Sequence, residues 1–282
     1  MESEQEMSGQ NPNFFPKHPL VSIIIPCFNY GHYLTDCIQS ALNQSYPNVE
    51  VIVIDDDSTD NTGDVAKQFS KVKYVRIKHQ GNKTPAHALN VGIQVSSGDF
   101  IIFLGADDKL DPLYVTKCFE LFNCKTSANK NRVGFIWTGY QSFGDMNITD
   151  LPYVEKLTKW NYDHSGGQVG SMLVPKPLYL QIGGYDESLP QYEDLDWVIR
   201  ACKRGYVGFS VKEPLHNYRF HGLSVNSNPN EKSNRGALFH KHPSYRIMRA
   251  THKNLNKGKN YLLHSPAYAK ALCRKIKRRK RI

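Results

Sequence analysis

Acidic residues gather at three places in this 282-residue chain: Asp55, Asp56 and Asp57 in a row, Asp107 beside Asp108, and Glu193 beside Asp194. The first two groups each follow an apolar run, VIVI and IIFLGA, of the kind that forms a buried strand. Adjacent carboxylates repel, so they persist where a cation or a set of hydrogen-bond donors neutralises them, and an oxygen-liganded magnesium or manganese ion is one such cation. Turns and helix caps also favour Asp, and for either group alone that explanation has equal weight. Two groups at matching positions favour chemistry, because ligands of open α/β sheets bind at the carboxyl ends of strands. Glu193 and Asp194 precede the apolar Leu195, Val198 and Ile199, which places them in a first helical turn, where the dipole favours anions. They would serve there as caps or as a proton acceptor. His216 and His221 lie near the end of the same region, and a histidine taken alone is more often structural.

The elements that must position these groups follow from periodicity. From residue 20 to about 137, β-branched runs alternate with helix-period segments, which predicts strand-helix units feeding a mostly parallel sheet. Strands are predicted at 21–28, 49–54, 73–77 and 99–105. Helices are predicted through Leu34, Ile38, Ala41, Leu42 and Ser45, then near 62–70 and 84–96, with another opened by Pro112. After 137 the rhythm weakens, and 139–168 reads as loops rich in Asp, Asn, Gly and Pro. A strand near 168–174, a helix over 193–204 and a strand over 207–220 follow. Residues 222–236 are polar and turn-forming, which predicts a loop or lid, and the remainder to 282 reads as helical and basic.

Composition narrows the class. With 40% hydrophobic residues the chain has an ordinary globular make-up, and its apolar runs are too short for a membrane-spanning helix, which needs roughly 18 residues. The N-terminus, with Glu2, Glu4 and Glu6, lacks the basic start and apolar centre of a signal peptide, so residues 1–19 read as a disordered leader of a cytoplasmic protein. The six cysteines form no CxxC pair and read as reduced, packed thiols. The net charge is +10, but eight Lys and Arg residues lie between Lys270 and Arg281 with no acid among them. Without that tail the balance is close to neutral.

Four segments, in order, are together specific. VIDDDSTDNT (53–62) resembles the V-V-D-D-G-S-T-D-x-T signature of family 2 glycosyltransferases, and GDFIIFLGADD resembles their strand ending in an Asp-x-Asp type motif. GGYDESLPQYEDLDWVIRACKRGY is similar to the segment that holds their Glu-Asp motif, and YRFHGLS to their late histidine motif. The resemblance covers about residues 20–225. It implies a GT-A type fold, an α/β class with a Rossmann-like, mostly parallel sheet flanked by helices, here followed by a helical basic C-terminal extension. A nucleotide-binding half over 20–137, an acceptor half over 138–225, and a lid with a basic helical tail over 226–282 are the expected divisions.

The same resemblance implies roles for residues. Pro26, Phe28 and Asp56 line the nucleoside pocket, Asp107 holds the ribose or the metal shell, and Asp108 and His221 hold a divalent cation, Mn2+ or Mg2+. Asp194 is the expected catalytic base of an inverting transfer to an acceptor hydroxyl, and the enzyme is of the metal-dependent, hexosyltransferase type. The donor is a nucleotide-diphosphate sugar, a UDP-sugar in first place, and the acceptor a carbohydrate or lipid-linked molecule of cell-surface polysaccharide or glycolipid synthesis. The basic tail suits an anionic membrane surface at the inner face, and no nucleic-acid partner is expected. A sugar-nucleotide pyrophosphorylase is the competing enzyme, although PCFNYGHY replaces the glycine-rich loop it requires. The other alternative is an inactive scaffold of the same fold that binds anionic surfaces. Two departures from the family pattern stand out, Asp57 where glycine is usual and Gly105 where a further aspartate is frequent.

Overall fold

The computed structural model describes residues 18–79, 85–128, 132–145, 147–152, 154–162, 170–221, 231–246 and 248–249. The expected leader up to residue 17, the loop over 222–230 and the basic tail lie outside the described residues. His18 and Pro19, expected in the leader, are tied down, their carbonyls accepting from Asn48 and from the Tyr46 hydroxyl.

The chain opens with β1 (Val21–Cys27), α1 (Gly31–Leu42), β2 (Val49–Asp55), α2 (Thr62–Lys67), β3 (Val72–Arg76), α3 (Ala86–Val95) and β4 (Phe100–Phe103). β3, β2, β1 and β4 lie side by side and parallel, as the alternation predicts. Successive side chains of β1 serve opposite layers. Ile24 packs into the layer that contains Leu89 and Ile93 of α3, whereas Ile23 and Ile25 join Leu34 and Ile38 of α1. This two-sided burial is why the strand is apolar on both faces apart from Ser22, whose hydroxyl donates to Glu50.

The second part departs from the expected loops. After β5 (Lys109–Leu110) and α4 (Tyr114–Ala128), a 13-residue strand, β6 (Arg132–Gly144), runs well past residue 139. It pairs with the short β7 (Thr149–Asp150), and β8 (Lys156–Leu157) and β9 (Met172–Pro175) follow. α5 (Lys176–Ile182), α6 (Glu193–Lys203), β10 (Tyr206–Phe220) and α7 (Glu231–Lys241) complete the described chain. β9 is antiparallel to both β4 and β6, β6 is parallel to β10, and one sheet thus runs β3-β2-β1-β4-β9-β6-β10-β5. Residues 231–236, expected as part of a lid, are the first half of α7 instead. Its Leu238 is fully buried against the layer that holds α6, and packing of this kind outweighs the weak helix preference of EKSNRG.

Candidate active site

The loops after β1, β2 and β4 meet the end of β10, and the chain's side chains sort into two joined clusters there. In the first, the three aspartates after β2 do different things. Asp55 is fully buried and belongs to the scaffold: its Oδ1 accepts from the Ser58 amide at 2.8 Å and its Oδ2 from the Tyr74 hydroxyl at 2.6 Å. Asp57 has φ 64°, in the left-handed region that glycine enters without strain, which accounts for the residue usual at that position. Its carboxylate turns to Arg76 Nη2 at 2.8 Å, and that hydrogen bond holds it below the usual carboxylate range. The extra charge that Asp57 brings is thus met by a neighbouring cation.

Asp56 is the member that faces the pocket. Its Oδ2 accepts from Nδ1 of His79 at 2.7 Å, while its buried Oδ1 has no hydrogen-bond partner among the described residues. A buried carboxylate oxygen without a partner is costly, so a donor beyond the described residues, such as a bound ligand, is favoured there. His79 stacks on Phe28 with centroids 4.9 Å apart and planes 13° from parallel, and Phe28 keeps 47% of its surface exposed. Pro26, half-buried at the end of β1, precedes this ring by two residues. Pro26, Phe28 and Asp56, the expected nucleoside residues, therefore lie together. His79 went unmarked in the sequence, and its only signal there is its place just past a strand of the same parallel set.

The second cluster surrounds Asp107 and Asp108. Both carboxylates fold back over Gly105: a β-carbon at that position would sit 2.9 Å from Asp107 Oδ1 and 3.1 Å from Asp108 Oδ2. A side chain at that position would crowd both carboxylates as they are placed here, and the glycine leaves them room. Asp108 is buried and has both oxygens engaged. Oδ1 accepts from the Arg219 amide at 2.8 Å, and Oδ2 meets His216 Nε2 at 3.0 Å. Asp107 Oδ2 meets His221 Nε2 at 2.9 Å. Burial, and then the adjacent Asp108, push the Asp107 carboxyl up from its ordinary range. The Arg219 side chain donates from Nε to the Asp107 carbonyl at 2.8 Å and lies 4.4 Å from the ring centroids of Tyr33 and Phe143. Tyr30, which caps α1, and Tyr33 in its first turn pack on His221 at 5.6 and 5.3 Å, and so join the two clusters.

Asp108, the expected metal ligand, has both oxygens hydrogen-bonded to β10, and His216, read as structural, is one of its partners. His221 reaches the site through Asp107. Among the described residues no group of three or more His, Cys, Asp or Glu side chains is arranged to hold a metal ion. The donor set still fits a divalent cation that takes one or two protein carboxylates and completes its shell from phosphate and water, as magnesium commonly does.

Asp194 makes no hydrogen bond to Asp56, Asp107 or Asp108, and its partner is local. It sits in the first turn of α6, which begins after Tyr192 at φ 70°. Its Oδ1 accepts from the Leu195 amide at 2.6 Å, and loss of hydration raises its pKa. Glu193 beside it is pushed up to about 8 by burial and then by the Asp194 charge. Tyr185 lies between this turn and the sheet, 5.2 Å from Phe103 of β4. Trp197 is fully buried and stacks on Tyr179 at 4.9 Å, so it is core.

Comparison with known proteins bears on the family and the fold. The chain is 32% identical over 232 residues to an uncharacterized glycosyltransferase of Rickettsia felis, covering 77% of this chain but only 37% of that one. It is 27% identical over 216 residues, covering 74% of this chain and 82% of the relative, to TuaG of Bacillus subtilis, a glycosyltransferase assigned to teichuronic acid biosynthesis. Among solved structures, S. aureus TarS 1-349 in complex with UDP-GlcNAc superposes with a TM-score of 0.63 at 17% identity, over 74% of this chain and 60% of that one. That likeness establishes the GT-A type of fold. The glycosyl transferase family 2 profile matches residues 22–163, half of the chain, and runs through both aspartate groups. Signature, sheet order and profile coincide on the same residues: the chain belongs to glycosyl transferase family 2.

Proposed function

We propose that the chain transfers a sugar from a nucleotide-diphosphate donor, a UDP-sugar in first place, to an acceptor hydroxyl with inversion at the anomeric carbon. The observation that carries this reading is the buried, unpartnered Oδ1 of Asp56 beside the exposed ring of Phe28. A uracil presents what that pair lacks, an imide N–H for the carboxylate and a flat face for the ring. The complex of TarS with UDP-GlcNAc supports the same donor class.

In this reading Asp107, whose Oδ2 alone is taken by His221, holds the divalent cation, and Asp108 fixes His216 and Arg219 around it. When bound, such an ion supplies charge neutralisation for the diphosphate leaving group. Asp194 accepts the proton of the acceptor hydroxyl, which is a poor nucleophile until that proton is being removed. Direct displacement requires no enzyme nucleophile. The test is a thermal-shift screen of nucleotides and nucleotide sugars with and without manganese. A ligand at about 100 times its dissociation constant stabilises by about 2.7 kcal/mol, and a rise confined to uridine nucleotides and enhanced by the metal is expected. No response to any nucleotide sugar overturns the reading.

The acceptor is a carbohydrate or lipid-linked molecule of cell-surface polysaccharide synthesis, a setting in line with the assignment of TuaG. The eight basic residues between Lys270 and Arg281 then hold the enzyme at an anionic membrane surface, each worth about 1 kcal/mol near the lipid. Among the described residues no helix is long and apolar enough to cross a membrane. The full chain is expected to sediment with anionic vesicles in a salt-sensitive way, and a chain ending at Ser265 to remain in solution. Equal sedimentation of the two removes the tail as an anchor.

A further inference from the structure

The turn that carries Glu193 and Asp194 is held from outside α6. Asn234 of α7 donates to Gln191 Oε1 at 3.2 Å, and Arg235 donates to the Tyr192 hydroxyl at 3.2 Å. At the far end of α7, Lys241 pairs with Asp186 and reaches Asp196 Oδ1 at 2.8 Å. His242 meets the same oxygen through Nε2 at 2.7 Å. All but the Asp186 pair end within three residues of Asp194.

Asp196 is the hub of the arrangement. It is fully buried, and its Oδ2 accepts from Arg200 Nε at 2.7 Å. The same guanidinium donates to the carbonyls of Ile182 and Gly184 at 2.8 and 2.6 Å, at the start of the segment that leads into α6. His242 is nearly as deeply buried, and its Nδ1 lies 2.9 Å from Lys203 Nζ. An ammonium group only donates, so Nδ1 is the acceptor and the ring proton sits on Nε2, directed at Asp196. The imidazole thus acts as a neutral bridge with one donor and one acceptor. Although the hydrogen bonds hold the Asp196 carboxyl down at about 2, a buried ion cluster is a weak stabiliser compared with an apolar core, and its better-attested use is to fix one register.

Something here needs fixing. Tyr192 begins α6 at φ 70°, a left-handed conformation that a bulky residue keeps only where its surroundings impose it. The Asp196 amide closes that first turn onto the Tyr192 carbonyl at 2.9 Å, so the anchored Asp196 and the strained Tyr192 are mechanically continuous. We propose that His242 and Asp196 are positioning residues for the transfer reaction: through them α7 is strapped across the first turn of α6, and the direction of the Asp194 carboxylate is set. This rests on Asp194 as the base, and it adds the C-terminal segment to the machinery.

The test compares His242→Gln with His242→Leu in the full chain. Glutamine keeps one donor for Asp196 and one acceptor for Lys203, whereas leucine keeps only bulk. The leucine variant is expected to lose about tenfold or more in kcat with donor KM within about twofold, the signature of a misdirected group rather than a lost binding site. Its amides over 193–196 and 231–241 are expected to exchange hydrogen faster. Glutamine is expected to restore both rate and protection. Should the leucine variant fail to fold, Lys203→Met removes the outer donor from an exposed position, and a smaller loss of kcat with the same faster exchange is expected. Equal loss in the glutamine and leucine variants, or faster exchange with unchanged kcat, overturns the proposal. If the chain shows no transfer at all, the functional reading fails first, and unchanged exchange in the variants then overturns the strap independently.

Discussion

Asp194→Asn is expected to lower turnover by about 100-fold or more while donor affinity stays within about twofold, because it removes proton transfer and little else. The amide keeps the shape of the carboxyl and can still accept from the Leu195 amide, so α6 has no reason to unwind. The neighbouring residue supplies the control. With Glu193 pushed up to about 8 by burial and by the charge on Asp194, its proton is retained at neutral pH, and Glu193→Gln replaces one neutral group by another. That variant is expected to keep most of its turnover at pH 7. Its stability should differ from the parent in one direction only. The native carboxyl of Glu193 binds its proton more tightly than the ordinary glutamate value of 4.5 allows, so the parent loses stability relative to the glutamine variant as pH rises from there to about 8. Equal loss of rate in the two variants, or a large loss of donor affinity in Asp194→Asn, would show that this turn binds the donor or merely holds the fold.

The strands that carry the donor side were legible because they are buried on both faces. β1, β2 and β4 are short runs dominated by Ile, Val and Phe, of the length and residue type that suit a buried strand. β6 escaped because its last residues, GYQSFG, mix polar, aromatic and glycine positions. They are extended because β10 pairs along one side while β7 pairs along the other, which is a property of the assembled sheet. α5 left a fainter trace, a proline in its first turn and Gly183 at φ 102° after its end, in a segment only seven residues long. In the site, the spacing of aspartates marked the right loops without assigning their tasks. Nothing in DDD says that Asp55 will face Tyr74, that Asp57 will turn to Arg76, and that Asp56 will be left with a free oxygen. Those outcomes depend on where β3 lies beside β2. Likewise, Asp108 is saturated by residues more than a hundred positions away, and the late motif YRFHGLS gave His221 without disclosing that Arg219 and His216 reach the aspartates as well.

The two aspartates after β4 should separate under mutation. Asp107→Asn is expected to abolish most of the gain in uridine-nucleotide affinity that manganese confers, by about 10-fold or more, since an amide oxygen is a poor substitute for a carboxylate on a hard dication. The melting temperature without ligand should barely move, because Asp107 lies at the edge of the cluster and its burial already disfavours its charge. Asp108→Ala should do the reverse. It leaves the Arg219 amide and His216 without their buried acceptor and detaches β10 from the loop after β4, at a cost of about 2–4 kcal/mol. Isothermal titration with UDP in the presence and absence of manganese, together with melting curves of both variants, decides the matter. A stable Asp108→Ala that has lost its metal dependence would return the cation to Asp108, as the family resemblance first implied. The opposite pattern makes Asp108 the residue that builds the site and Asp107 the one that uses it, with Gly105 left bare so that both carboxylates fit over its backbone.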